Sequence, residues 1–430
     1  MNKVLIVTYY WPPAGGAGVQ RWLKFSKYLP QSGWESLILT VDPSYATYPA
    51  FDPTLEKDLP AELKVYRTKS TDWFRLYRKD KSKIPSGGFA NNIDRSVKGL
   101  FSRFIRGNFF IPDPRRGWNR HAINKAVSII IEEKINTVIT TSPPHSSQLI
   151  GLKLKKIFPG IQWIADLRDA WTDIYYYELF YPTFISKMID RHFEKSVLKN
   201  ADKIITVGHN LAENFKLKTP GIEGKMHFLP NGYDEEDFIG IKHELPSRFT
   251  INYTGTMSEA YPLDSLLYAL GTIMNSGKDF LLQFVGFVPE SIKDKILKNL
   301  GTDKTEFITY TDHLKAIGYM CRSSLLLLII PENRNNRAIT PGKVFEYIAA
   351  QKPVLYIGPA DGDAAYHLSQ TRPGGLFETQ DVNGIIQYIN REMSKSGQEI
   401  HDPHPEYSRK SLSQKLGSIL NDNQQTVFSS

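Results

Sequence analysis

Short runs of apolar, β-branched and aromatic residues alternate with longer segments of helical spacing from the start of the chain. In the first half, these runs are Val4–Tyr9, Ser36–Val41, Thr137–Thr141, Gln162–Ala165 and Asp202–Val207. Buried strands that alternate with helices are typical of a doubly wound α/β domain built on a parallel sheet. In such sheets ligands bind at the carboxyl ends of the strands, so the loops that follow these runs are where chemistry is expected.

A second series of apolar runs begins after Pro230-Asn231-Gly232. Its members are Phe249–Tyr253, Leu281–Val285, Leu325–Ile330 and Val354–Ile357. We therefore predict the fold class α/β, with two doubly wound, Rossmann-like domains that face each other across a cleft. The predicted domains are residues 1–235 and 236–405, and a helical pattern at Ser411–Leu420 is expected to pack back on the first domain.

Composition narrows the class of protein. A chain of 430 residues favours two or three domains, and its 41% apolar and 23% charged residues are typical of a globular protein. The longest wholly apolar run, Leu325–Ile330, is too short to span a bilayer, and the start of the chain turns polar too early for a secretory signal. A single cysteine, Cys321, excludes an internal disulfide and a cysteine-rich metal site. We expect a soluble, cytoplasmic protein.

Positive charge is concentrated in one segment. The whole chain carries a net charge of +8, whereas residues 64–120 alone contain 15 Lys and Arg, four Asp and ten aromatic residues. Basic residues beside aromatic ones suit an anionic membrane surface or a nucleic acid. Within this segment Val97–Phe110 reads as a short amphipathic stretch with basic edges, and the alternative is a solvated helix that packs on the domain by its aromatic face.

The loop after the first run is rich in glycine. Gly15, Gly16 and Gly18 let the backbone approach a ligand, and the helix that follows offers free N–H groups to an anion. As a dinucleotide fingerprint the loop is incomplete, because Arg21 stands where a third glycine belongs. Asp42, at the end of the second run, keeps an NAD-binding interpretation open, and a plain tight turn is the other alternative.

Two further loops of the first domain carry candidate chemistry. The segment Asp166-Leu167-Arg168-Asp169-Ala170-Trp171 follows a strand and is too polar for a core. Arg168 can form a structural ion-pair cluster with at least one of the acids, while the other acid and Trp171 are suited to a hydroxylated substrate. His145, in a proline-rich loop, is a candidate proton shuttle, although a lone histidine is more often structural.

In the second domain the segment from Thr340 to Val354 is the most informative. Thr340 reads as an N-cap and Pro341 as the first helical residue. A helix that begins there places N–H groups and Lys343 at one end, where they suit a diphosphate. Glu346 lies about 5 Å further along the axis, within reach of a ribose. An ordinary capped helix with a surface Lys–Glu pair is the alternative.

Six motifs follow one another in a fixed order over nearly the whole chain. They are Gly15-Gly16, Asp166-Leu167-Arg168-Asp169-Ala170-Trp171, Ala201-Asp202-Lys203-Ile204-Ile205-Thr206-Val207, Leu229-Pro230-Asn231-Gly232-Tyr233-Asp234, Tyr253-Thr254-Gly255-Thr256 and Gly342-Lys343-Val344-Phe345-Glu346-Tyr347-Ile348-Ala349. Their order and spacing resemble those of the retaining glycosyltransferases of family 4, enzymes of the GT-B fold, in the version found in bacterial surface-polysaccharide transferases.

The resemblance implies a metal-independent glycosyltransferase of bacterial cell-surface polysaccharide biosynthesis, which transfers a sugar from a UDP- or GDP-linked donor to a glycan or lipid-linked acceptor. No cofactor, metal or nucleic acid is expected, and a lipid-linked acceptor at the inner face of the cytoplasmic membrane would explain the basic segment 64–120. The implied catalytic residues are His145, Asp169 and Lys343. The implied donor-binding residues are Gly15, Gly16, Gly255, Arg337, Gly342, Lys343 and Glu346, and the implied acceptor-binding residues are Arg168 and Trp171.

The chain also departs from the family pattern. Ala338 stands where the family has a second acid, eight residues before Glu346. The family's Arg/Lys pair is also missing, because the five residues after Gly255 contain no Lys or Arg. Lys343, or Arg334 and Arg337, would then supply the charge that meets the phosphates. These departures favour one alternative, a non-catalytic nucleotide-sugar-binding scaffold. A sugar-nucleotide epimerase of the same fold is the other alternative. Asp361-Gly362-Asp363, although similar to a metal-binding motif, is interpreted as a turn.

Overall fold

The chain forms two compact domains. The computed structural model describes residues 1–48, 51–71, 96–241, 246–309, 311–395 and 401–422, together with Glu244. The first domain comprises Met1–Asn231 with Arg409–Ser430, and the second comprises Gly232–Ser408. The predicted boundary at 235/236 lies shortly after this division. Part of the basic segment 64–120, including Trp73, Phe74 and Tyr77, lies outside the described residues.

The first domain is built on a parallel sheet. Over the described ranges it has seven strands in the order β3-β2-β1-β4-β5-β6-β7. The strands are β1 (Asn2–Val7), β2 (Trp34–Val41), β3 (Lys64–Thr68), β4 (Thr137–Ser142), β5 (Gln162–Leu167), β6 (Lys203–Thr206) and β7 (Met226–Phe228). Strands β4 and β6 are buried at every residue, as expected for parallel strands that are covered by helices on both faces.

The helices of this domain follow the strands in sequence. They are α1 (Ala17–Tyr28), α2 (Val97–Phe109), α3 (Asn119–Glu132), α4 (Ser146–Ile157), α5 (Phe184–Asn200) and α6 (His209–Lys218). The last helix of the chain, α13 (Arg409–Asn421), also belongs here, because Arg409 donates to the Gln20 side chain at 3.2 Å and Asn421 accepts from Trp34 at 3.0 Å. Thus α13 packs beside α1 at the edge of the first domain.

The second domain repeats the architecture with a smaller sheet. In its described part the strand order is β10-β9-β8-β11-β12-β13, and all pairs are parallel. The strands are β8 (Thr250–Thr254), β9 (Leu281–Val285), β10 (Thr305–Ile308), β11 (Leu325–Ile329), β12 (Val354–Ile357) and β13 (Leu376–Phe377). The helices are α7 (Asp264–Asn275), α8 (Glu290–Leu300), α9 (His313–Cys321), α10 (Lys343–Ala349), α11 (Asp363–Thr371) and α12 (Val382–Ser394).

Both domains therefore have the strand order of a Rossmann-like fold, in which the chain starts at the centre of the sheet and reverses direction beside the first strand. The predicted fold class, α/β with two doubly wound domains, is confirmed. The topology places the loops that follow β1, β4 and β5 together at one edge of the first sheet, and those that follow β8 and β11 together in the second. Each helix within the described ranges is too short or too polar to cross a membrane.

Candidate functional site

The glycine loop of the first domain leads directly into α1. Gly16 is the N-cap of α1 and has φ 107°, a conformation that favours glycine over any residue with a side chain. The carbonyl of Gly16 accepts from the Val19 amide at 3.0 Å. An added Cβ at Gly16 would meet no atom within 4 Å, so the requirement for glycine here comes from the backbone conformation rather than from crowding. Gly15, which precedes it, is half-buried, whereas Gly16 is exposed.

Asp166, the first acid of the motif after β5, is a structural residue. Its carboxylate accepts from Arg21 at 3.0 Å, from the Trp22 indole at 2.9 Å and from the Thr141 hydroxyl at 2.7 Å. Asp166 and Arg21 are fully buried, and burial lowers the pKa of Arg21. Arg21 therefore occupies the place of the third fingerprint glycine in order to pair with Asp166. Sequence reasoning missed this pair, because nothing near Arg21 in the chain indicates its partner.

Arg168 braces the strand-end loops. Its side chain donates to the carbonyl of Ser142 at 3.1 Å and to that of Pro143 at 3.4 Å. A Cβ added at Gly18 would collide with the Arg168 guanidinium, so this glycine leaves room for the arginine. The ion pair with Asp166 is longer, at 3.8 Å. Asp169 is exposed, and of the two acids it is the one available to a ligand.

His145 and Trp171 form a stacked pair, with ring centroids 4.9 Å apart and an angle of 12° between the planes. The Trp171 indole is buried and donates to Asp190 at 2.7 Å. Burial lowers the pKa of His145 to about 3, so the imidazole is neutral at physiological pH. Burial also raises the pKa of Asp190 to about 6, against the opposing effect of the Trp171 hydrogen bond. The structure thus brings His145 and Trp171 together in a largely water-excluded position.

A cavity of about 100 Å³ opens beside this stacked pair in the first domain. It lies at the carboxyl ends of β1, β4 and β5, the edge at which Rossmann-like domains bind ligands. Its wall consists largely of aromatic and proline side chains, with two arginines and two aspartates, Asp113 and Asp190. These lining residues include Tyr10, Phe110, Trp171, Tyr176, Phe180, Arg106 and Arg115. A largely apolar pocket with a few converging polar groups is the usual form of a small-molecule site. Sequence reasoning indicated Trp171 but neither arginine.

In the second domain, Lys343 is held against the strand that precedes Gly255. Its ammonium donates to the carbonyl of Thr254 at 3.0 Å and lies 3.6 Å from the centre of the Tyr253 ring. Gly255 has φ 126°, and a Cβ there would stand 3.4 Å from Lys343 Nζ. Burial lowers the pKa of Lys343 to about 7, while the charge of Glu346 opposes this shift. The structure therefore brings Lys343, Gly255 and Glu346 together.

Helix α10 begins at Lys343 with Gly342 as its N-cap, so the prediction that Thr340 caps it and Pro341 starts it was wrong. The turn before it is tighter than an α-helix, because the Val344 amide bonds to the carbonyl of Pro341 at 3.0 Å. Glu346 lies one turn into the helix and is half-buried.

The loop between β11 and α10 carries Arg337, which forms an exposed ion pair with Asp361 at 3.0 Å. This contact joins Arg337 to the Asp361-Gly362-Asp363 segment. Gly362 is the N-cap of α11, so the segment is the turn into a helix. Ala338 ends a short 3-10 turn and is half-buried. The ion pair gives Arg337 a local structural role, and its contact with a donor stays a prediction.

No protein-family model and no curated protein matches the chain. Solved structures do match it. A glycosyltransferase from Rickettsia africae is 14% identical over 100% of this chain and 99% of its own, with a TM-score of 0.61. The lipopolysaccharide outer core galactosyltransferase WaaB is 12% identical over 99% and 100%, with a TM-score of 0.58. A putative UDP-N-acetylglucosamine 2-epimerase from Listeria monocytogenes is 12% identical over 99% and 97%, with a TM-score of 0.52. These likenesses show that the chain has the GT-B fold.

Proposed function

We propose that this chain is a glycosyltransferase of family 4 that uses a nucleotide-sugar donor and retains the configuration of the transferred sugar. The observation that carries the proposal is the grouping of Lys343, Gly255 and Glu346 in the second domain. The GT-B fold, which this chain shares with the Rickettsia glycosyltransferase and with WaaB, supports the proposal.

The second domain offers a site for the donor diphosphate. Lys343 brings a positive charge to the end of β8, where the left-handed Gly255 keeps the backbone free of a side chain. A nearby anion would favour the protonated form of an ammonium whose pKa burial has lowered to about 7. Because negative charge on the diphosphate grows as the glycosidic bond breaks, this contact strengthens in the transition state and so contributes to catalysis. Gly342 and Arg337 are proposed neighbours of the donor.

Glu346 is the proposed ribose ligand. It lies one turn along α10 from Lys343, a separation of about 5 Å along the helix axis. A carboxylate at that distance from a phosphate-binding ammonium is placed to accept hydrogen bonds from ribose hydroxyls. In the first domain, Gly15 and Gly16 are proposed to meet the donor through their backbone.

The acceptor is proposed to bind the first domain at the cavity beside His145 and Trp171. The aromatic side chains of the wall suit the apolar faces of sugar rings, and its arginines and aspartates suit sugar hydroxyls. A neutral His145 can donate or accept a hydrogen bond but carries no charge, and we propose that it makes a polar contact with the reacting sugars. Asp169 is the proposed second polar group, and Arg168 holds the loops in place.

The reaction is proposed to serve bacterial cell-surface polysaccharide biosynthesis, with a UDP- or GDP-linked donor, no bound metal and a glycan or polyprenyl-linked acceptor. One neighbour in fold is an outer core lipopolysaccharide transferase, which supports this setting. The proposed location is the cytoplasm, with peripheral contact between the segment 64–120 and the anionic inner face of the membrane.

Calorimetric titration with UDP, GDP, ADP and NAD, with and without magnesium, tests the donor site. We expect metal-independent binding of one nucleoside diphosphate, weakened at least tenfold by Lys343→Met and by Glu346→Gln. Lys315→Met and Glu290→Gln are matched controls, since both side chains are exposed on other helices of the same domain. Equal effects of all four substitutions, or binding of NAD alone, would refute the assignment.

A sugar-nucleotide epimerase is the second candidate, favoured by the fold shared with the Listeria protein. The two reactions differ in their need for an acceptor. NMR of the nucleotide sugar incubated with the protein alone separates them. Formation of a stereoisomer without acceptor would establish the epimerase, whereas transfer only in the presence of an acceptor would establish the transferase. Binding without either reaction would leave the non-catalytic scaffold.

A further inference from the structure

Large apolar side chains are exposed together on two helices of the first domain. On α2 they are Val97, Leu100, Phe101, Phe104 and Phe109. On α5 they are Phe184, Ile185, Met188 and Ile189, and Tyr181 lies three residues before that helix. Their exposed fractions run from 37% at Ile189 to 81% at Val97. We call these ten residues the α2/α5 face. Single exposed apolar residues are ordinary, but a concentration of this kind marks an interaction surface.

The two helices form one surface because Asn108 ties them together. Its amide donates to the carbonyl of Tyr181 at 3.0 Å, and its oxygen accepts from the Thr183 amide at 2.7 Å and from the Ser186 hydroxyl at 2.8 Å. Gly107 allows this approach, since a Cβ there would collide with Phe180. The apolar side chains of α2 and α5 are thus held side by side.

The exposed charged residues of α2 and α5 have one sign. Helix α2 contains no acidic residue, and the two acids of α5, Asp190 and Glu194, are buried. The exposed charged residues of these helices include Lys98, Arg191 and Lys195. The nearest exposed acid before α5, Glu178, is already paired with Lys187 at 2.8 Å. An apolar face bordered by basic residues suits an anionic lipid surface.

We propose that the α2/α5 face docks on an anionic bilayer. Its aromatic and aliphatic side chains would lie below the lipid phosphates, and Lys98, Arg191 and Lys195 would lie at the level of the phosphates. This inference refines the membrane contact proposed above, rests on it, and is independent of the transfer reaction. A second copy of the chain is a poorer occupant, because a twofold contact would bring these basic residues toward their own equivalents.

Three of the described arginines in the segment 64–120 are committed inside the domain. Arg106 lies over the Phe180 ring at 4.1 Å, Arg115 is buried, and Arg116 donates to the carbonyl of Ile111 at 2.9 Å. Neutralising them would test folding rather than membrane contact. The surface also extends beyond that segment, because half of its apolar residues belong to α5 or, in the case of Tyr181, to the turn before it.

Cosedimentation of the whole protein with vesicles tests the proposal. The vesicles are phosphatidylcholine alone, or phosphatidylcholine mixed with phosphatidylglycerol. We expect the wild type to bind the anionic vesicles, and the double variant Phe184→Ser/Ile185→Ser to bind them at least tenfold more weakly. Lys98→Gln/Arg191→Gln/Lys195→Gln should lose about fivefold per charge. Ile131→Ser/Leu217→Ser, equally exposed elsewhere in the first domain, is the matched control and should bind like the wild type.

The proposal is overturned if the wild type ignores anionic vesicles, or if Phe184→Ser/Ile185→Ser binds them as the wild type does. It is also overturned if sedimentation without lipid shows a dimer that this variant abolishes, since the face would then belong to a second copy. Titration of each variant with the nucleoside diphosphate separates the two proposals. A variant of the α2/α5 face that loses vesicle binding but still binds the nucleotide supports the docking proposal. If neither the wild type nor any variant binds the nucleotide, the result counts only against the donor site.

Discussion

The two acids of the motif after β5, Asp166 and Asp169, are predicted to respond differently to replacement by asparagine: the first change lowers stability and the second lowers transfer activity. Asp166→Asn removes the charge that pairs with Arg21, while the buried guanidinium remains. The new amide also turns a donor toward the Trp22 indole or the Thr141 hydroxyl, each of which donates to Asp166 in the native protein. Asp169→Asn, three residues later, changes an exposed side chain of the same type.

The expected cost follows from the burial of the pair. Both side chains have 0% exposure, so Asp166→Asn leaves an uncompensated buried charge, which costs about 3–5 kcal/mol. For a domain of this size each kcal/mol lowers the unfolding temperature by about 2–4 °C, so the expected shift is about 6–20 °C. Asp169→Asn should change stability by less than about 0.5 kcal/mol and should lower transfer activity.

Thermal unfolding at pH 7, followed by near-ultraviolet circular dichroism, measures these shifts, and Arg21→Met completes a double-mutant cycle. Arg21 also donates to the carbonyls of Leu229 and Pro230, so its replacement alone is costly. Because the two side chains contact each other, the double variant should lose less than the sum of the single variants, by about 0.5–3 kcal/mol. Additive losses, or an Asp166→Asn protein that melts within about 2 °C of the wild type, would refute the reasoning.

Three further outcomes are expected. Burial lowers the pKa of Lys343 to about 7, so its charged fraction falls as pH rises. The affinity for the nucleoside diphosphate should therefore decline from pH 6 to 8, with proton uptake on binding. An affinity that stays constant over this range in calorimetry would exclude Lys343 from the diphosphate site. Gly255→Ala should weaken the same binding, because an alanine is strained at φ 126° and its relief would shift the backbone next to Lys343; unchanged affinity would contradict this. His145→Gln should lower the transfer rate without changing how that rate depends on pH between 5 and 8, because burial lowers the pKa of His145 to about 3. A shift in the pH at which the rate falls on the acidic side would show that His145 titrates in this range.

The central strands were predictable because they are buried on both faces and read as apolar runs. The strand predicted at Leu281–Val285 coincides with β9, and that at Val354–Ile357 coincides with β12. Strands β3, β7, β10 and β13 were missed. Polar side chains interrupt the apolar pattern in β3 and β10, while β7 and β13 are only three and two residues long, too short to produce a recognisable pattern.

The candidate site was predictable only as far as its residues are neighbours in the chain. Lys343 and Glu346 lie near one face of a helix because they are three residues apart, and their spacing alone predicts this. The contact between Lys343 and Thr254 joins positions 89 residues apart, so it depends on how α10 packs against the end of β8. The stacking of His145 on Trp171 likewise depends on the adjacent registration of β4 and β5.

By itself, the sequence determined the alternation of strands and helices, the two-domain α/β class and the loops where chemistry is concentrated, because these depend on periodicity and on local turn residues. The tertiary structure alone decided which of two nearby acids is buried, since the partner of Asp166 is Arg21, 145 residues away. It also decided that the exposed apolar residues of α2 and α5 form one surface. Burial and charge pairing are properties of the surroundings in space, and local sequence does not specify those surroundings.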